Sequence, residues 1–236
     1  MSATTSVHEI ELPARLCPET IAVLLRALRG PITGAVVVLR GTDSFCDGLD
    51  LGAVRESGGE ILHRAVSGFA QILGTLQALP HPLLAVVEGS ARGGGVGLAA
   101  ACDVVLAGPQ ASFALPEAIF GLTPAIVGPL VAARVGGPTL RRLALTASPI
   151  DSHEALHLGL ADFTAEADDL QSTTKRLVRA LSRTAAAAGP LRARFGPEAS
   201  DFDAGARETL QRLNDPDVQR RIAAFERGDA PWEATP

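Results

Sequence analysis

Apolar residues along this chain follow two rhythms, short unbroken runs and recurrences at every third or fourth position. Ala35 to Leu39 (AVVVL), Leu83 to Val87 (LLAVV) and Asp103 to Ala107 (DVVLA) are short β-branched runs, which predicts buried strands. Val7 to Leu12 alternates weakly and predicts a short strand, and Ala111 to Leu115 predicts another. Ile61, Leu62, Ala65, Val66, Phe69, Ile72, Leu73, Leu76 and Leu79 keep helical spacing, so an amphipathic helix is expected over 61–79, ended by Pro80 and Pro82. An earlier helix opens at Pro18-Glu19-Thr20 and closes at Gly30-Pro31.

Beyond Pro116 the pattern turns helical. Helices are predicted over 124–135, 138–146, 152–158 and 168–188, and over 208–227 with a break near Asn214-Asp215-Pro216. The stretch Gly189 to Gly205 reads as a linker between helices. Strands alternating with helices, then helices alone, predict an α/β fold with a parallel sheet and a helical C-terminal part. The division expected is an α/β core over 1–165 and a helical region over 166–236.

Length and composition narrow the class. The 236 residues suffice for one domain with a sizeable core, and 47% hydrophobic against 20% charged residues argues against disorder. A net charge of −5 without a basic run argues against a nucleic-acid partner. Cys17, Cys46 and Cys102 match neither a disulfide framework nor a zinc pattern, so reduced thiols and no metal site are expected. No stretch approaches the roughly 18 uninterrupted apolar residues of a membrane span, and MSATTSVHEIELP lacks the regions of a signal peptide. The expectation is a soluble cytoplasmic enzyme.

Two glycine-bearing turns follow predicted strands. Phe45-Cys46-Asp47-Gly48-Leu49-Asp50 comes after the first buried run, and Gly93-Gly94-Gly95-Val96-Gly97 after the second. Glycine permits unusual backbone angles and close ligand approach, so each turn can aim an N–H outward. Two such groups converging on one point make an oxyanion hole, and the second turn also opens a helix whose positive end favours an anion. Phosphate binding and simple turning remain alternatives. A dinucleotide fingerprint does not fit the GGGVG spacing.

FCDGLD resembles the FCAGAD-type segment of the crotonase (enoyl-CoA hydratase/isomerase) superfamily. VVEGSARGGGVGLAAACDVVLA is similar to its second signature, and FALPEAIFGLTPA to its third, in family order over roughly residues 35–165. The resemblance implies a crotonase fold, a repeated ββα-type core with a C-terminal helical region that trimerises. It implies oxyanion-hole amides at Leu49 and Gly94 and a catalytic acid at Glu117. It also points to Gly48, Gly93 and Gly95 as substrate-contacting turn residues. A second glutamate of the hydratase subgroup falls at Gly97, so this chain keeps one acid and lacks the other. Asp47 is a further departure, since a small residue is usual there, and the short N-terminus leaves one opening strand missing.

FALPEAIFGLTPAIVGPLVAARVG, GGVGLAAACD and the terminal GDAPWE resemble the crotonases of polyketide β-branching cassettes. That narrower likeness implies dehydration of 3-hydroxy-3-methylglutaryl-ACP to 3-methylglutaconyl-ACP. The substrate would arrive on the phosphopantetheine of an acyl carrier protein or on CoA, with no other cofactor. A homotrimer or hexamer is implied. A double-bond isomerase, a decarboxylase and a catalytically silent carrier-binding subunit are the alternatives.

The remaining polar residues each admit a plainer role. Asp50 reads as a second acid or as the cap of the following turn. His63, beside the apolar face of the 61–79 helix, reads as pocket-lining or exposed. Arg92 reads as a partner for a substrate carboxylate or a pantetheine-side group, or as a solvated side chain. His81, His153 and His157 read as loop or surface residues, and Asp103 as a helix end or strand start. Apolar surroundings from Phe113, Ile119 and Phe120 are expected to raise the pKa of Glu117.

Overall fold

Both faces of the central strands are covered, and this sets the layering. A computed structural model describes residues 6–56, 59–197 and 199–234. From the N-terminus run β1 (Val7–Glu11), α1 (Pro18–Arg29), β2 (Val36–Arg40), α2 (Leu51–Glu56), α3 (Gly59–Ala78) and β3 (Leu83–Val87). There follow β4 (Ser90–Arg92), α4 (Gly94–Ala100), β5 (Val104–Ala107), β6 (Ser112–Ala114) and a 3₁₀ turn at Glu117–Phe120. Next come α5 (Gly128–Val135), α6 (Gly137–Thr146), β7 (Ile150–Asp151), α7 (Ser152–Leu158) and β8 (Phe163–Thr164). The chain closes with α8 (Ala167–Arg183), α9 (Ala188–Phe195), α10 (Ala199–Leu213), α11 (Pro216–Glu226) and a last 3₁₀ turn, Pro231–Glu233.

Five parallel strands form the main sheet in the order β1-β2-β3-β5-β8, with Val37 opposite Leu83 and Ala85 opposite Val105. Alternation sends Val37, Leu39, Leu83, Ala85 and Val87 into the main core with α1 and α3. Val36, Val38, Leu84, Val86 and Leu106 point the other way, onto Leu177 and Val178 of α8. Unbroken apolar runs are what a sheet buried on both faces requires.

A second layer repeats beside the first. β4 pairs with β6 in parallel, and β6 with β7 in antiparallel. Isolated bridges extend this layer through Cys46–Ala91 and Leu16–Leu49. Each long strand thus leads to a short second-layer segment and then to a helix or 3₁₀ turn: β2 to 46–49 to α2 and α3, β3 to β4 to α4, and β5 to β6 to the turn at 117–120. The opening repeat is reduced to β1 and the single bridge residue Leu16. This is the ββα-type repetition that the resemblance implied. Among the described residues no helix is long and apolar enough to cross a membrane, and the three cysteines are free thiols.

Three expectations need correction. β4, β7 and β8 are too short for a hydrophobic period to reveal them. The helix expected from Pro124 begins at Gly128, because 122–127 runs irregularly between α4 and α10. Gly189 to Gly205 is not a linker: it holds α9 and the start of α10. Arg192, buried at 8% exposure, anchors α9 by a two-pronged ion pair to Asp103, with Nε to Oδ1 at 2.7 Å and Nη2 to Oδ2 at 3.1 Å. Its Nη1 also donates to the carbonyls of Leu76 (3.1 Å) and Leu79 (2.5 Å), at and just past the end of α3. A single arginine thus fastens a segment whose apolar pattern is weak.

Candidate active site

The two glycine turns meet. Gly48 has φ +78°, and a Cβ there would come within 2.8 Å of the Arg92 carbonyl and 2.9 Å of the Gly94 nitrogen. Only glycine fits that approach. Leu16 N–H donates to the Gly48 carbonyl at 2.8 Å, and Asp50 N–H donates to the Leu16 carbonyl at 3.0 Å. The Leu49 amide between them is left off this ladder. On the other turn, Gly93 N–H donates to the Ala114 carbonyl at 2.9 Å, and Gly94, the first residue of α4, has no intrahelical acceptor. Among the described residues neither the Leu49 nor the Gly94 amide has a hydrogen-bond acceptor.

Glu117 stands against the second turn. A Cβ on Gly93 (φ +47°) would lie 3.1 Å from its Oε1. The residue starts the 3₁₀ turn that follows Pro116 and ends at Gly121, a left-handed position at φ +78°. Part of the residue reaches the cleft, but its carboxylate is sequestered: Oε2 is buried without a partner among the described residues. Desolvation pushes its pKa from the ordinary 4.5 up to about 7, against a smaller lowering by a backbone hydrogen bond. Of the apolar neighbours expected, Phe120 lines the cleft, while Phe113 is a core residue at 1% exposure.

Asp47, Gly48, Leu49, Gly93, Gly94 and Glu117 line one cleft, partly open to solvent. Phe69, Phe120, Leu122, Ile126 and Val127 give it apolar walls, and Thr123 and Thr209 add hydroxyls. Asp47 Oδ1 accepts from Ser90 Oγ at 2.5 Å.

Four candidates lie elsewhere. Gly95 is a packing glycine: a Cβ would fall 1.8 Å from the Cys46 carbonyl. Asp50 caps α2, accepting from Ala53 N–H at 3.0 Å, and approaches Arg15 at 3.4 Å. His63 is on the exposed face of α3, with Nδ1 3.5 Å from Ser67 Oγ, because the apolar stripe of that helix takes the inner positions. Arg92 turns along the second layer, and its Nη1 donates to Ser112 Oγ at 3.1 Å.

Gly97 explains the missing second acid. A Cβ at this position would lie 2.2 Å from Val127 Cγ1 and 2.8 Å from Val127 Cβ. The space for a side chain is filled.

The sequence reading missed the C-terminal contribution. α10 packs tightly on the loop before α5, since a Cβ on Gly205 would meet the Ala125 carbonyl at 2.4 Å. Thr123 Oγ1 donates to Glu208 Oε1 at 2.5 Å, and Thr209 reaches the cleft from the next helical position. α11 braces the Glu117 turn through a T-shaped contact of Phe225 with Phe120, centroids 5.3 Å apart. Arg221 Nη1 also donates to the Ile119 carbonyl at 3.4 Å. Phe202, Ala206, Thr209 and Leu213 are all buried, and this helical stripe was the available signal.

The chain is similar to known proteins in sequence and in fold. Residues 7–232 match the family described as enoyl-CoA hydratase/isomerase. The chain is 32% identical over 225 residues to the bacillaene synthase dehydratase PksH of Bacillus subtilis, covering 92% of this chain and 86% of that protein. It is 32% identical over 152 residues to the carnitinyl-CoA dehydratase of Proteus mirabilis, covering 64% of this chain and 58% of that relative's length. The crystal structure of the B. subtilis protein described as a polyketide biosynthesis enoyl-CoA hydratase superposes with a TM-score of 0.81 at 26% identity, covering 95% of each chain. An enoyl-CoA hydratase of Bacillus halodurans shares the fold, with a TM-score of 0.85 at 22% identity over 94% of this chain and 98% of that one.

Proposed function

Because the chain belongs to the enoyl-CoA hydratase/isomerase family, we propose that it is a dehydratase of a β-hydroxyacyl thioester. The observation that carries this reading is one buried carboxylate, Glu117, beside two unpaired backbone amides in an apolar cleft. In this reading the thioester oxygen sits between Leu49 N–H and Gly94 N–H. Ionised Glu117 takes the α-proton, and the electron pair of the C–H bond moves onto the thioester oxygen as an enolate. The pair then returns to form the C=C bond as the β C–O bond breaks. The hydroxyl leaves with the proton Glu117 now carries, so the products are the enoyl thioester and water. Backbone donors of this kind are worth about 2.7–4 kcal/mol each, and general acid–base catalysis about 10²–10⁴-fold. A pKa of about 7 lets one carboxylate both take and return a proton near neutrality.

The favoured substrate is 3-hydroxy-3-methylglutaryl carried on an acyl carrier protein, with CoA as the other carrier. Similarity to the bacillaene synthase dehydratase over most of both chains supports it. The step moves no electrons to an acceptor, and the pantetheine arm comes with the substrate. Gly48 and Gly93 shape the turns that receive it. The helices after residue 166 are proposed to join copies into a trimer or hexamer, and light scattering that finds only a monomer would reject that assembly. A single carboxylate also suits a double-bond isomerase, which returns the proton to the γ-carbon.

The test is turnover by purified protein of β-hydroxyacyl, β,γ-enoyl and 3-methylglutaconyl thioesters, each on carrier protein and on CoA. Water loss from the first set is the expected result. Isomerisation alone, CO₂ release alone or no turnover would each replace the reading by a named alternative.

A further inference from the structure

Of the two threonines lining the cleft, Thr123 is bonded to Glu208 and Thr209 is not bonded among the described residues. It lies on α10, is 8% exposed, and lines the cleft that contains Glu117. Threonines inside helices normally return their hydroxyl to the carbonyl four residues back. In this chain Thr75 does so to Gln71 at 2.7 Å, Thr146 to Arg142 at 2.9 Å and Thr174 to Leu170 at 2.8 Å. Thr209 makes no such bond to Gly205 and finds no partner among the described residues. Among the described residues Thr209 Oγ1 is not one of the fully buried side-chain atoms left without a partner, so it stays open to the cleft, where a ligand oxygen can take the place of solvent. The neighbouring Thr123 hydroxyl is already committed to Glu208 at 2.5 Å.

The chemistry of the surrounding wall narrows the ligand atom. The cleft that Thr209 lines also has Leu122, Ile126 and Val127 in its walls, and Val127 occupies the space a side chain at Gly97 would need. A substrate oxygen directed to this wall therefore has Thr209 as its uncommitted hydroxyl partner. We propose that Thr209 binds and orients the β-hydroxyl of the substrate, so that its leaving oxygen faces Glu117. This deepens the dehydratase reading and rests on it. A threonine hydroxyl is too weak an acid to supply the proton of the departing water. It accepts the hydrogen of the substrate hydroxyl or donates to its oxygen, while Glu117 carries the proton in both steps.

The experiment compares Thr209→Val and Thr209→Ser with the parent protein in two assays. One is dehydration of a β-hydroxyacyl thioester. The other is α-hydrogen exchange in deuterated water on the matching saturated thioester, which has no β-hydroxyl. Thr209→Val is expected to lower dehydration at least tenfold while exchange changes less than twofold, and Thr209→Ser to recover most of the dehydration. Unchanged dehydration in Thr209→Val would overturn the proposal, as would an equal fall in both assays, which marks a packing role. A parent protein that exchanges but never dehydrates would instead defeat the dehydratase reading, and this proposal with it.

Discussion

The two walls of the cleft are built from different materials. One is backbone: the turns at Gly48–Leu49 and Gly93–Gly94, pressed together so closely that a Cβ on Gly48 would reach the Gly94 nitrogen at 2.9 Å. The other is side chain: Glu117, Phe120, Val127 and Thr209, drawn from the 3₁₀ turn, the loop before α5 and α10. The backbone wall can recognise what thioesters share, because an amide donor carries no side-chain identity. In the side-chain wall Val127 stands against Gly97, the position where the resemblance implied that a second acid would fall. In the proposed reading, oxyanion binding and proton transfer thus reside in separate, separately breakable parts.

Breaking the side-chain wall at its one buried carboxylate should have the largest effect. Glu117→Gln is expected to lower kcat about 10²–10⁴-fold with an unchanged circular dichroism spectrum. Breaking the backbone wall comes next. Gly94→Pro deletes one donor, though its added carbons must also fit beside Phe69 Cζ and Gly48 Cα, 3.1 and 3.3 Å from a Cβ there; the folded variant should lose about 2.7–4 kcal/mol of transition-state stabilisation, read as kcat/KM. Native activity in a folded Gly94→Pro protein would show that the turn does not bind the oxygen.

A third effect is thermodynamic. The folded-state pKa of Glu117, about 7, exceeds its ordinary value of 4.5, so between these values the folded chain keeps a proton the unfolded chain has lost. Stability from this group is undiminished below pH 4.5 and falls as the pH rises through about 7. Glu117→Gln removes the penalty. Its gain over the parent should be near zero at pH 4.5 and reach at most about 3 kcal/mol above pH 7, measured by denaturant unfolding at both pH values. The smallest effect sharpens the contrast at Gly97. Gly97→Glu is expected to destabilise by about 1–3 kcal/mol through overpacking on Val127, and a second change, Val127→Ala, to restore part of the lost Tm.

Legibility in the sequence follows the same division. The backbone wall is local: a strand and a glycine turn lie within a dozen residues, so FCDGLD and GGGVG announce it before any coordinates do. Glu117 is equally local, next to Pro116 and four residues before Gly121. The buried strands were visible because double-sided burial demands unbroken apolar runs. What stayed hidden depends on distant contacts. Arg192 fixes α9 through Asp103 and the end of α3, and no period in the sequence reports that. Gly205 looked like a linker residue but is the point where α10 touches Ala125, which is how Thr209 comes to the cleft. His63 has helical spacing close to the apolar stripe, and only the packing of α3 decides that it faces outward.

Deuterium incorporation at the α-carbon of a bound acyl thioester tests the central claim most directly, because it reports enolate formation without requiring water loss. The parent protein should exchange the α-hydrogen, on a pH profile that rises through about 7 as Glu117 ionises. Folded Glu117→Gln should not exchange. Exchange by Glu117→Gln at the parent rate would contradict the account, since another group would then be the base.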